Sequence, residues 1–151
     1  MPSVIKAISP LVDRLIGLID ESHCVAGEEL AVELALREAL GNAVVHGNCL
    51  DPAKVVQVHC RCDLLLGVFV VVKDQGRGFN PDTIPDPLSA ENLEAEHGRG
   101  ILLIRSHMDE VLFKCGGSEV HMRKRPRQAN QERSCSDSGF AGLDAHRRGD
   151  L

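Results

Sequence analysis

The sequence predicts an α/β domain, and three patterns carry that prediction. Two stretches near the start have helical apolar spacing, an alternating stretch is followed by a continuous apolar run, and a further helical stretch precedes two short strands. Residues 9–22 place Leu11, Leu15, Leu18 and Ile19 at helical intervals, and Ser9-Pro10 puts a proline in the first turn. Residues 27–47 carry a second, longer helical pattern that stops at Gly47. Asn48 to Pro52 reads as a turn. From Lys54 to Cys62, Val56, Val58, Cys60 and Cys62 alternate with Val55, Gln57, His59 and Arg61, the period of a half-buried strand. Leu64 to Lys73 is apolar almost throughout, as a central strand is, and the two strands are expected to form a hairpin. Gly100 to Asp109 returns to helical spacing, and Val111–Lys114 and Glu119–Lys124 read as strands turned at Gly116-Gly117.

A chain of 151 residues fits one domain with a sizeable core. Residues 1–125 are expected to form it, and residues 126–151, polar and without period, read as a disordered tail. The net charge of -5 and the absence of Trp and Tyr give neither a basic footprint nor stacking platforms, so a nucleic-acid partner is not expected. No apolar run has the length of a membrane span and the start lacks an apolar signal core, so the expected location is cytoplasmic, with no membrane partner. Cys60 and Cys62 share one strand face, but the second pair that a zinc site needs does not appear. The six cysteines are expected to be reduced thiols, buried or half-buried.

The helix over 27–47 carries two polar stripes. At ~100° per residue, Glu29, Glu33 and Arg37 cluster on a solvent face. Glu38, Asn42 and His46 follow at intervals of four on another face, among Ala31, Leu34, Ala35, Ala39 and Val45, and are expected to point inward. A carboxylate placed there costs several kcal/mol, on the order of an unmet hydrogen bond or more, unless something partners it.

Two glycine-rich segments follow. Asp74-Gln75-Gly76-Arg77-Gly78 comes directly after the apolar strand, where glycines let backbone approach a ligand and the aspartate can accept a hydrogen bond from an exocyclic amine. Gly98-Arg99-Gly100 leads into the next helix, where exposed N–H groups and the helix dipole favour an anion and Arg99 adds a charge-assisted donor. Between them lies a long loop with three prolines, Pro81, Pro85 and Pro87. Neither segment matches a Walker loop or a dinucleotide-binding fingerprint.

Helix with E-x-x-x-N, strand ending in D-x-G-x-G, long loop, then G-x-G: in this order the segments resemble the N, G1 and G2 boxes of the Bergerat-fold ATPases. That superfamily includes histidine kinases and gyrase-type ATPases. Asn42-Ala43-Val44-Val45-His46-Gly47 and the run from His97 to Val111 are most similar to anti-sigma factor serine/threonine kinases. The resemblance covers residues 9–125. It implies a sandwich of helices on one face of a mixed, mostly antiparallel sheet, binding ATP with Mg2+. It also implies that Glu38 is the general base, that Asn42 holds the metal and that Asp74 reads the adenine amine. Gly76 and Gly78 would then shape the adenine pocket, Gly98, Arg99 and Gly100 would hold phosphates, and His46 would lie near the nucleotide. Residues 79–97 would form a lid over it.

The protein substrate implied is a serine or threonine on an anti-sigma-factor antagonist of the STAS fold, with a sigma factor as the second partner. Family members open on a strand through which they can pair. Here only Met1–Ile8 precedes the first helix, so that strand is expected to be short or missing, and a homodimer stays open. The alternatives are a module that binds nucleotide and a partner without catalysis, and the ATP-binding half of a histidine kinase. Glu38 favours a kinase, since a pure binder has no need of that carboxylate.

Overall fold

A computed structural model describes residues 1–78 and 96–127, with the side chains of residues 96–98 left aside. The expected lid lies outside them except at its last residues, and so does the expected tail beyond Arg127. The described chain runs through α1 (Ile8–Ser22), α2 (Glu29–Asn42), β1 (Gln57–Asp63), β2 (Gly67–Lys73), α3 (Glu96–His107), β3 (Glu110–Lys114) and β4 (Glu119–Lys124). The strands form one sheet in the order β1-β2-β4-β3, with every ladder antiparallel.

The alternation in β1 and β2 decides which face is covered. Val68, Val70 and Val72 are buried with Val120 and Met122 of β4, and they join a single cluster with Val12 and Ile19 of α1, Val32, Leu36 and Leu40 of α2, and Ile104 of α3. Each such aliphatic side chain contributes roughly 1.5–3 kcal/mol when fully removed from water. Gln57, His59 and Arg61 face the other way and are exposed. The fold is therefore an α/β sandwich with its helices on one face of the sheet, and the apolar run predicted as a central strand is flanked by β1 and β4.

Charged contacts fix how the helices lie. Arg37 of α2 reaches Ser9 Oγ and Asp13 of α1 at 3.1 Å each, and Glu33 at 2.8 Å, so the stripe expected to face solvent instead ties α1 to α2. Lys124 Nζ donates to the His107 carbonyl at 3.0 Å and pairs with Glu28 at 3.3 Å. The end of α3 therefore lies beside the start of α2, and the two helices run antiparallel. Arg127, two residues into the expected tail, pairs with Glu28 at 3.0 Å.

Several boundaries differ from the sequence reading, each for a local reason. Asp63 Oδ1 accepts the N–H groups of Leu65 and Leu66 at 2.9 and 3.0 Å, which closes a turn and starts β2 at Gly67 rather than Leu64. The long second helix ends as an α-helix at Asn42 and continues as a π-helical turn over Ala43–Gly47, with Asn48 N–H bonded to the Ala43 carbonyl at 2.8 Å. The third helix begins at Glu96, so Gly98, Arg99 and Gly100 belong to its opening turns instead of preceding it. The strand expected to be short or missing at the start is a single bridge, Pro2 opposite Val55, with the Met1 ammonium donating to the Val56 carbonyl at 2.7 Å. Of the five described cysteines, Cys24 is buried and Cys60 and Cys62 are half-buried as expected, but Cys49 and Cys115 are exposed.

Candidate nucleotide site

Three segments meet where α2, the end of β2 and the start of α3 converge. Glu38 and Asn42 stand one helical turn apart on α2, both half-buried. Gly100 of α3 is buried against them: a Cβ at Gly100 would collide with Glu38 Oε1 and come within 3.0 Å of Asn42 Nδ2. The absent side chain is what lets the α3 backbone reach the carboxylate and the amide.

One turn further along, Gly47 meets Asp74. A Cβ at Gly47 would overlap the Asp74 carboxyl carbon, and one at Gly76 would overlap the Gly47 carbonyl and lie 2.8 Å from Asp74 Oδ1. Asp74 Oδ1 accepts the Gly76 N–H at 2.7 Å, and the Asp74 N–H donates to the Ser118 carbonyl at 3.0 Å. Burial pushes the Asp74 carboxyl above the usual carboxylate range, against the opposing pull of the Gly76 N–H and the Lys54 ammonium. A half-buried carboxylate pinned by backbone in this way can accept a further hydrogen bond from a ligand amine. Gly78 has φ 74°, and a Cβ there would strike the Gly116 carbonyl, so the start of the long loop leans on the β3–β4 turn.

The sequence-predicted residues thus fall into two adjoining groups. Glu38, Asn42 and Gly100 form one, and Asp74 and Gly76, with Gly47 packed against them, form the other. Gly98 and Arg99 sit among the first four residues of α3, whose N–H groups lack helical acceptors; the Arg99 side chain is exposed. His46 corrects the expectation of an inward-pointing imidazole, because its side chain is exposed. His46 lies in the π-helical turn, whose winding differs from that of the α-helix on which the stripe was placed.

Two residues escaped the sequence reading. Gly47 was read as a helix stop and as part of the motif, with no role at the site, yet it is the floor under Asp74. Asn48 was expected as part of a turn, yet it is fully buried, accepting the Gln75 N–H at 2.8 Å and donating to the Val55 carbonyl at 3.1 Å. Its one sequence signal is an amide placed directly after the helix stop, which ordinary turns also show.

The family of histidine kinase-like ATPase domains matches residues 5–124, most of the chain and all three segments of the site. The chain belongs to that family. ATP binding is accordingly assigned to this domain. The chain is also 32% identical over 87 residues to a protein of Halalkalibacterium halodurans named anti-sigma F factor. That match covers 56% of this chain and 58% of the relative's length. Among the described residues, no helix is long and apolar enough to cross a membrane.

Proposed function

We propose that this histidine kinase-like ATPase domain is an anti-sigma regulatory serine/threonine protein kinase. It transfers phosphate from ATP to a hydroxyl on a STAS-type antagonist and, by the same regulatory logic, holds a sigma factor. The observation that carries this reading is the Glu38 carboxylate set against the opening turn of α3, one helical turn from Asn42. A module that only binds nucleotide has no use for a carboxylate beside the phosphate-binding turn, whereas phosphoryl transfer to a hydroxyl needs a proton acceptor there. The similarity to a protein named anti-sigma F factor supports the choice among kinase classes.

In this reading Asp74 accepts a hydrogen bond from the adenine amine. Gly47, Gly76 and Gly78 keep the backbone low enough for the ring to enter, and the first N–H groups of α3, with Arg99, hold phosphate oxygens. The residues present fit Mg2+ in its usual manner. The Asn42 side-chain amide stands next to the opening turn of α3, and its oxygen would serve a hard cation that keeps most of its water and needs one or two such oxygens plus the phosphates. Bound there, Mg2+ would neutralise charge on the phosphates. Glu38 takes the proton of the acceptor hydroxyl as its oxygen bonds to the terminal phosphorus and the bond to ADP breaks.

Leu34 and Leu30 continue the Glu38–Asn42 line outward at intervals of four and are 42% and 67% exposed. Apolar side chains leading away from the proposed base suit a protein acceptor better than a small molecule. The test is phosphate transfer from radiolabelled ATP to a panel of purified STAS-domain proteins. We expect one of them to be labelled on serine or threonine, and Glu38→Ala to bind ATP but lose labelling by about 10²–10⁴-fold. Labelling by Glu38→Ala at the wild-type rate would remove Glu38 from the chemistry.

A further inference from the structure

The side chain of Asn48 closes a ring of three hydrogen bonds. Asn48 Nδ2 donates to the Val55 carbonyl at 3.1 Å, the Val55 N–H donates to Gln75 Oε1 at 2.8 Å, and the Gln75 N–H donates to Asn48 Oδ1 at 2.8 Å. The ring joins three places far apart in sequence: the end of the α2 region, the chain leading into β1, and the loop that carries Asp74. Asn48 is also fixed through its own backbone, whose N–H meets the Ala43 carbonyl at 2.8 Å inside the π-helical turn.

Asp74 sits between two anchors. Its own N–H is held by the Ser118 carbonyl at 3.0 Å, from the sheet side. The next N–H along the chain, that of Gln75, is held by Asn48. With both in place the peptide plane between them cannot turn, and the carboxylate is pressed onto Gly47. Without the Asn48 anchor the loop can pivot about the Ser118 bond. The amide both accepts and donates here; an aspartate would keep the Gln75 bond but turn an acceptor oxygen toward the Val55 carbonyl, and an alanine would leave both groups unmet.

We propose that Asn48 is the positioning residue that aims the Asp74 carboxylate, and that it thereby sets the base preference of the nucleotide site. The inference rests on the reading of Asp74 as the acceptor for the adenine amine. Adenine offers a donor at that edge and guanine a carbonyl acceptor, so a fixed carboxylate binds the first and repels the second. A carboxylate free to swing does neither.

The experiment measures dissociation constants of the full chain for Mg-ATP, Mg-GTP and Mg-tripolyphosphate by calorimetry, with circular dichroism as the check on folding. Wild type is expected to prefer ATP over GTP by on the order of 100-fold or more. In Asn48→Ala that preference should shrink by about tenfold or more, while tripolyphosphate, which touches only the phosphate end, binds as in wild type. A variant that keeps the wild-type preference overturns the inference. So does one that loses all three ligands in equal measure, since that is what a merely structural residue would do. Should Asn48→Ala fail to fold, Asn48→Ser, whose hydroxyl is too short to span to the Gln75 N–H, decides in its place: a narrowed preference supports the anchor and an unchanged one overturns it. A wild-type protein with no preference for ATP would instead sink the reading of Asp74 itself, a result distinct from failure in the variant alone.

Discussion

Asp74 is held in a setting that works against the stability of the empty protein. Its carboxyl keeps its proton more readily in the folded chain than in the unfolded one, chiefly because burial disfavours the charge. The stability associated with the protonated form is present below the unfolded pKa and is lost as pH rises through the higher folded value. At neutral pH the ionised group therefore costs stability. Asp74→Asn, which keeps an oxygen for the Gly76 N–H, should be at least as stable as wild type in urea melts at pH 7. That advantage should shrink as pH falls below the carboxylate range. A variant clearly less stable than wild type at pH 7 would show that burial is not the dominant influence on this group. The glycines give a graded prediction. A Cβ at Gly76 or Gly78 meets a backbone carbonyl, of Gly47 or Gly116, and neither can step aside. At Gly100 it meets the far end of the flexible Glu38 side chain. Gly76→Ala and Gly78→Ala should each lose about 1–3 kcal/mol or more in chemical denaturation. Gly100→Ala should lose less, yet its transfer rate should fall with Glu38 displaced.

At the scale of elements, what was legible in the sequence was periodicity, and what was not was hydrogen bonding that ignores periodicity. The alternation from Val56 to Cys62 and the pair Val111–Lys114 and Glu119–Lys124 were readable because one buried face forces a two-residue repeat. The start of β2 was misplaced because Leu64, Leu65 and Leu66 look like strand. The Asp63 carboxylate instead bends them into a turn that leaves Leu65 87% exposed. The π-helical turn was invisible for a similar reason: Ala43–Gly47 has helical composition, and the turn shows itself only in the Asn48 N–H reaching the Ala43 carbonyl. Arg37 was read as a solvent-facing charge, but it ties α1 to α2 through Ser9 and Asp13. Because these pairs are part-exposed, Arg37→Ala should lower stability by no more than about 1 kcal/mol in thermal or urea unfolding.

At the scale of the whole molecule, the order of the three motifs carried the family resemblance, and the resemblance implied helices on one face of a mostly antiparallel sheet, which is the arrangement found. The thiols report that architecture independently. Cys24 is buried, and burial pushes Cys60 up to about 12, whereas Cys49 and Cys115 lie on the surface. Iodoacetamide at pH 8 should therefore label Cys49 and Cys115 well before Cys24 and Cys60, as mapped by peptide mass spectrometry. Equal labelling of Cys60 and Cys49 would contradict the packing of β1 against the helices. The central claim, that the cleft is a nucleotide site read by Asp74, is tested most directly by thermal stability with and without Mg-ATP, in wild type and Asp74→Asn side by side. A ligand at about 100 times its Kd adds roughly 2.7 kcal/mol. The structure predicts an upward shift of that order for wild type and little or none for Asp74→Asn; no shift in either protein at millimolar Mg-ATP, or the same shift in both, would contradict it.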